Sequence, residues 1–191
     1  MRYPIVLDLE TKHSFREFSD PKKLGISVLG IFDYHDNQLK AFFESELNTA
    51  FPLLENASIL IGFNINSFDL PVLQGYYPGR TEQFKTFDIL DDIKNKLGRR
   101  LALNDIVSAT LNKKKSGHGL AAIDYYREGQ LDKLKSYCLS DVSLTKELFE
   151  YGVKEKKIFY PHLSGKMELK VTWEKSLSQS NDNDVSLTLP F

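Results

Sequence analysis

The sequence contains little cysteine and no long apolar run. Cys138 is the only cysteine among 191 residues, which excludes an internal disulfide and a zinc site built from cysteines. No apolar stretch approaches the roughly 18 residues that a membrane-spanning helix requires. The N-terminal segment MRYPIVLDLET has a short apolar stretch that leads directly into acidic residues, which is unlike a signal peptide. We therefore expect a cytoplasmic protein that does not enter a membrane.

A strong excess of either charge is also missing, because the net charge is only −1. This balance neither indicates nor excludes a nucleic-acid partner, since basic residues are needed only where a phosphate backbone lies. Seven Lys and Arg residues nevertheless lie between positions 94 and 115, with Asp105 as the one acid among them. The simpler interpretation of this stretch is a solvated helix face followed by a basic loop.

The length and the hydrophobic content of 41% are ordinary for one globular domain with a sizeable core. Apolar runs predict strands at 3–9, 26–34, 38–43, 57–63 and 84–90. Helical spacing predicts helices at 46–56, at 70–76 and over most of 89–151. Asp88 is predicted to cap the helix that follows it. This order of elements predicts an α/β domain in which helices flank a mixed central sheet.

The C-terminal part predicts two further segments beyond a domain that spans 1–153. Residues 154–175 predict a β-hairpin extension with its turn at Ser164-Gly165. Residues 176–191 predict a flexible tail, because SLSQSNDND is polar and has few apolar residues. The tail ends in the apolar sequence VSLTLPF, which indicates a partner for the chain end.

Asp8 and Glu10 are two residues apart in the first predicted strand. Side chains alternate along a strand, so both carboxylates lie on one face at the end of that strand. Adjacent carboxylates repel each other, and a bound cation removes this repulsion. The alternative is that the strand simply leaves the core here and meets water.

Two more acids occur where core residues are expected. Asp69 follows a predicted strand and precedes a predicted helix, and its alternative role is to start that helix. In the helix predicted at 131–152, Tyr137 and Asp141 are four residues apart and share one face beside the apolar stripe. The alternative for Asp141 is a boundary position whose carboxylate reaches water.

Four carboxylates from distant segments suit one particular chemistry. Mg²⁺ and Mn²⁺ prefer carboxylate oxygens to sulfur. Two such ions, about 4 Å apart, can hold the attacking and the leaving oxygen of a phosphodiester. Spacing in the sequence does not establish that these four side chains meet in space.

The segments DLET, NINSFD and YCLSD, in this order, resemble the three motifs of the DEDD exonucleases, which share the RNase H-like fold. GFNINSFDLPVL is especially similar to the second motif in the proofreading domains of family B DNA polymerases and in related stand-alone bacterial exonucleases. Tyr137 and Asp141 match the YxxxD pattern of the tyrosine subclass. The resemblance extends from about residue 3 to residue 151 and includes all five motif positions.

This resemblance implies an RNase H-like fold and a metal-dependent 3′–5′ exonuclease of replication or repair. We expect the protein to be a monomer. The resemblance also implies that Asp8, Glu10, Asp69 and Asp141 bind two Mg²⁺ or Mn²⁺ ions, and that Tyr137 orients the attacking water. The substrate would be a nucleic acid with a free 3′ end, with DNA favoured over RNA. Residues expected to contact the substrate are Leu9, Thr11, Asn64, Phe68, Lys113, Lys114, Lys115 and His118.

The end of the tail resembles the short peptide by which bacterial replication and repair proteins dock on the sliding clamp. Thr188, Leu189 and Phe191 fit that peptide, whereas Ser186 replaces its usual first Gln. Leu187, Leu189 and Phe191 would then contact the clamp, and the linker would supply reach. The alternative is that this segment folds back onto its own domain.

Two other functions remain open at this point. The domain could be an inactive module that only binds nucleic acid, although a binding module has no need for clustered acids. It could also be an RNase H-like endonuclease or junction resolvase, although the Tyr-x-x-x-Asp pair and the NINSFD segment favour the exonuclease.

Overall fold

A computed structural model of the protein describes residues 2–114 and 120–178. Its strands are β1 (Ile5–Thr11), β2 (Ile26–Asp33), β3 (Gln38–Phe43), β4 (Leu60–Gly62), β5 (Thr86–Asp88), β6 (Lys157–His162) and β7 (Gly165–Lys170). Its α-helices are α1 (Leu47–Glu55), α2 (Asp69–Leu73), α3 (Ile89–Leu97), α4 (Leu103–Leu111), α5 (Ala121–Arg127), α6 (Leu131–Glu155) and α7 (Glu174–Ser178). None of the helices within these ranges combines the length and the hydropathy that a membrane span needs.

The central sheet has five strands in the order β3-β2-β1-β4-β5. Strand β1 lies in its middle, antiparallel to β2 and parallel to β4. Strand β5 is parallel to β4, and β3 is antiparallel to β2. The predicted α/β architecture with a mixed sheet and flanking helices is therefore confirmed.

Both faces of the sheet are covered, which explains why β1 is a nearly continuous apolar run. Ile5, Leu7 and Leu9 pack in the core formed with α1 and α2. Val6 points to the opposite face and packs with residues of α3, α4 and α6. Because side chains alternate, Asp8 and Glu10 lie on the same face as Val6, beneath α6.

Helix α6 continues to Glu155, three residues beyond the end predicted for it. The sequence suggested an end at Gly152, but this glycine is used for packing. A Cβ there would lie 2.1 Å from a ring carbon of Trp173. The helix ends instead where Lys156 adopts the left-handed conformation, with φ of 55°.

The predicted C-terminal hairpin is confirmed as β6 and β7, which pair from Lys157↔Lys170 to His162↔Gly165. Beyond it, Trp173 is 1% exposed and stacks on Phe149 of α6. Helix α7 then occupies the last residues of the predicted hairpin extension and the first three of the predicted linker, because Leu177 packs into the core beside Trp173.

Candidate active site

Helix α6 approaches the sheet closely where β2 has a glycine. Gly30 pairs with Asp8 across the β1–β2 ladder. A Cβ on Gly30 would lie 2.8 Å from the sulfur of Cys138 and 3.0 Å from Cγ2 of Val142. The absence of this one side chain therefore brings α6 down to the part of β1 that carries the acids.

One carboxylate oxygen from each of Asp8, Glu10 and Asp141 lies within 4.8 Å of the other two. Asp141 is completely buried, whereas Asp8 and Glu10 are partly buried. Three negative charges this close repel one another strongly, and a divalent cation between them would offset that repulsion. The donor set consists of hard oxygens, which suits Mg²⁺ or Mn²⁺ and not a soft metal.

Asp69, the fourth predicted ligand, stands beside this group and not within it. It is the first residue of α2 and is 2% exposed. Its Oδ1 accepts a hydrogen bond of 2.9 Å from the backbone N–H of Leu9, the residue between Asp8 and Glu10. The second motif is thus attached directly to the first.

Cys138 lies among the four acids, a position that nothing in the sequence signalled. Its thiol donates to the backbone carbonyl of Asp8 over 3.6 Å. Burial raises the pKa of Cys138 well above its usual value, and the charges of Asp8, Glu10, Asp141 and Asp69 raise it further. The thiol therefore keeps its proton and does not serve as a thiolate ligand.

Asp88 caps α3 as predicted and also shapes the segment that leads to Asp69. Its Oδ1 accepts from the N–H of Leu90 and of Asn64, over 2.9 and 2.8 Å. Its Oδ2 accepts from the N–H of Asn66 over 3.0 Å. Burial raises the pKa of Asp88, while the backbone donors oppose that rise. Asn64 is held in the left-handed conformation, with φ of 71°.

Tyr137 lies one helical turn before Asp141 on the same face of α6. It is 4% exposed, and its ring packs edge-on against Tyr125 of α5 at a centroid distance of 6.2 Å. The structure therefore fixes the orientation of this ring before any substrate binds.

The predicted substrate contacts occupy different environments. Leu9 and Thr11 are 3% and 6% exposed, so their side chains are not accessible to a substrate in this structure. Phe68 is partly buried and packs edge-on against Phe15, which is 53% exposed.

The basic residues among the predicted contacts lie in or beside the loop after α4. Lys113 forms an ion pair of 2.5 Å with Glu147, and Lys114 is exposed. Lys115 and His118 lie outside the described residues, as do Leu187, Leu189 and Phe191 of the tail.

Solved structures with the same fold include two enzymes that act on nucleic acids. The family B DNA polymerase of the hyperthermophilic archaeon Pyrobaculum calidifontis is similar over 78% of this chain and 24% of its own, with a TM-score of 0.60 and 16% identity. RNase D of Trypanosoma brucei is similar over 78% of this chain and 57% of its own, with a TM-score of 0.55 and 16% identity. The chain thus spans only part of each protein, and at this identity the likeness concerns the fold.

Family membership rests on the sequence itself. No curated protein matches the sequence significantly. A profile of the RNase_H superfamily, however, matches residues 5–153, which contain all the acids described above. This match and the carboxylate cluster support a nuclease, and they agree with the resemblance to DEDD exonucleases. The chain belongs to the RNase H superfamily.

Proposed function

We propose that the protein is a 3′–5′ exonuclease that removes nucleotides from the 3′ end of a nucleic acid, DNA in preference to RNA. The observation that carries this proposal is the meeting of Asp8, Glu10 and Asp141 within 4.8 Å. These three residues come from two segments whose order and spacing resemble DEDD exonucleases. A cytoplasmic location, a monomeric state and a role in replication or repair belong to the same proposal.

Two divalent cations, Mg²⁺ or Mn²⁺, would be held by Asp8, Glu10, Asp69 and Asp141. The group of oxygens fits such ions in chemistry and spacing. When bound, the cations supply Lewis acidity and lower the pKa of a bound water. Asp69 is close enough to contribute, because it binds the backbone between the two β1 acids.

The other residues position the reacting groups. The hydroxyl of Tyr137 orients the attacking water, and its neighbour Tyr125 holds the ring in place. An ordinary phenol keeps its proton at neutral pH, so Tyr137 acts as an orienting group and not as a base. The rings of Phe68 and Phe15 offer a surface on which the terminal base can stack. Asn64 precedes Phe68 in the segment held by Asp88.

The proposal is tested with single-stranded oligonucleotides that carry a label at either the 5′ or the 3′ end, in Mg²⁺ and with EDTA as the control. A 5′-labelled strand should yield a ladder of progressively shorter products, and a 3′-labelled strand should release a labelled mononucleotide at once. Internal cuts would instead indicate an endonuclease, and no cleavage would indicate a binding module. Parallel DNA and RNA strands determine which sugar is preferred.

A further inference from the structure

The loop between α3 and α4 contacts both the segment before Asp69 and the C-terminal hairpin. Arg100 donates from its guanidinium to the side-chain oxygen of Asn64 over 2.6 Å. Asn64 lies five residues before Asp69, in the segment that Asp88 holds in place. A positive charge therefore lies beside the part of the chain that leads to the catalytic acids.

The preceding residue extends this positive region to the hairpin. The guanidinium carbon of Arg99 lies 5.8 Å from the ring centroid of Tyr160 in β6. Strand β6 itself is attached to α4, because the hydroxyl of Thr110 bonds both the N–H and the carbonyl of Phe159. Arg99, Arg100 and Tyr160 of the hairpin therefore form one surface, which we call the arginine–hairpin surface.

The charges of this surface are less neutralised than those around it. Lys96 pairs with Asp92, and Lys113 pairs with Glu147, each over 2.5 Å. Within residues 2–114 and 120–178, no carboxylate pairs with Arg99 or Arg100. Both arginines are exposed. A guanidinium without an acidic partner is available for a phosphate, which it can bind through two parallel hydrogen bonds.

The lysines of the hairpin lie on the face opposite to Tyr160 and are not part of the arginine–hairpin surface. Lys157, Phe159, Lys166 and Lys170 share this face, because alternate residues and their cross-strand neighbours project together. The Nζ of Lys166 lies 4.3 Å from the ring centroid of Phe159. Glu168 is the one acid on the face, and Lys157 pairs with it over 3.0 Å.

We propose that the arginine–hairpin surface binds the single-stranded segment that leads to the 3′ end in the active site. This inference rests on the proposed function and names how that site holds its substrate. The carboxylate centre repels phosphates, so the strand leaves it towards positive charge, and Arg100 places such a charge beside Asn64. Basic groups interleaved with aromatic rings are the combination that single-strand binding uses.

Binding is measured without cleavage, so that this test is independent of the proposed reaction. A 5′-labelled oligothymidylate is titrated with the Asp141→Ala variant, and with the wild-type protein in EDTA, at several salt concentrations by fluorescence anisotropy. Arg99→Ala and Arg100→Ala should each weaken binding about 3- to 10-fold and lower the salt slope by about 0.7. Arg99→Lys should retain most of the slope, because the charge remains.

Arg2→Ala is the matched control. Arg2 is exposed and precedes β1, at the end of that strand opposite to Glu10. Its removal changes the net charge equally but should leave affinity and slope unchanged. Tyr160→Leu should weaken binding about fivefold without changing the slope, because stacking carries no charge. Equal affinities and slopes for Arg99→Ala, Arg100→Ala and Arg2→Ala would overturn the assignment, even if the wild-type protein degrades DNA from its 3′ end.

Discussion

At the scale of single residues, Asp69 determines more than its own position. Its Oδ1 holds the N–H of Leu9, so the backbone between Asp8 and Glu10 depends on it. Asp69 is also the first residue of α2, so the start of that helix sets the position of its carboxylate. The loss of this side chain would both remove a candidate metal ligand and release the strand that carries two others.

The hydroxyl of Tyr137 should accelerate the reaction without being indispensable. Tyr137→Phe keeps the ring and its packing against Tyr125, and it removes only the group that orients water. We expect the rate constant for nucleotide release to fall about 10- to 100-fold, or roughly 1.4 to 2.7 kcal/mol. Single-turnover cleavage of a 5′-labelled strand in Mg²⁺ measures this change.

Tyr125→Phe is the control, since it removes a hydroxyl from the neighbouring ring and should change the rate less than twofold. A loss for Tyr137→Phe as large as that for a metal ligand would give the tyrosine a direct chemical role.

The sequence predicts the residues of the site better than their contacts. Alternation along a strand places Asp8 and Glu10 together, and helical spacing places Tyr137 beside Asp141, because both are local rules. The bond from Leu9 to Asp69 joins residues that are 60 positions apart, and no local rule predicts it. The approach of Cys138 to Asp8 depends likewise on how closely α6 packs on the sheet.

At the scale of elements, the docking of α6 on β1 and β2 sets the geometry of the site. This docking depends on Gly30, because a Cβ there would meet the sulfur of Cys138 at 2.8 Å. Strand positions and most helices follow from apolar periodicity. Apolar periodicity does not predict the end of α6 or the existence of α7, because both depend on where Trp173 packs.

Gly30→Ala should displace α6 and separate Asp141 from Asp8 and Glu10. Overpacking of this kind costs about 1 to 3 kcal/mol of the free energy of unfolding. We expect a lower melting temperature and a cleavage rate reduced at least tenfold in the fraction that remains folded. Adding Cys138→Ala should restore part of the melting temperature and part of the cleavage rate, because it removes the sulfur that lies closest to the new Cβ.

Gly152→Ala provides the comparison, because it creates a clash with Trp173 that lies about 16 Å along α6 from Asp141. It should lower the melting temperature and leave the cleavage rate of the folded protein unchanged. Equal loss of activity in both variants would mean that α6 docking at Gly30 has no special role.

At the scale of the whole molecule, the small net charge is the sum of an acidic centre and a basic surface. Because the folded protein alone assembles the acids, a bound cation should stabilise it. A free cation concentration of 100 times the dissociation constant adds about 2.7 kcal/mol to the free energy of unfolding. For a chain of this size, each kcal/mol raises the melting temperature by about 2 to 4 °C.

A melting curve in millimolar Mn²⁺ or Mg²⁺ should therefore shift upward by several degrees relative to EDTA. Ca²⁺ should also stabilise the protein, but it should support little cleavage. Unchanged melting in Mn²⁺ would exclude four converging carboxylates as a metal site.

The tail should affect location on DNA and not chemistry. Deletion of residues 186–191, or replacement of Leu189 and Phe191 by Ala, should leave cleavage of short oligonucleotides unchanged. A labelled peptide of the wild-type tail should bind a purified bacterial sliding clamp, and the substituted peptide should not. If the full-length protein does not bind the clamp, or if the deletion unfolds the enzyme, the tail belongs to its own domain.

The most direct test of the central claim is the Mg²⁺-dependent degradation rate of the Asp141→Ala variant. Asp141 is fully buried, and one of its oxygens belongs to the carboxylate group with Asp8 and Glu10. Removing one of three clustered charges relieves repulsion, so melting without metal should be unchanged or higher. The account predicts a folded variant whose rate has fallen at least about 1000-fold, or roughly 4 kcal/mol. A folded variant with near-native activity would contradict it.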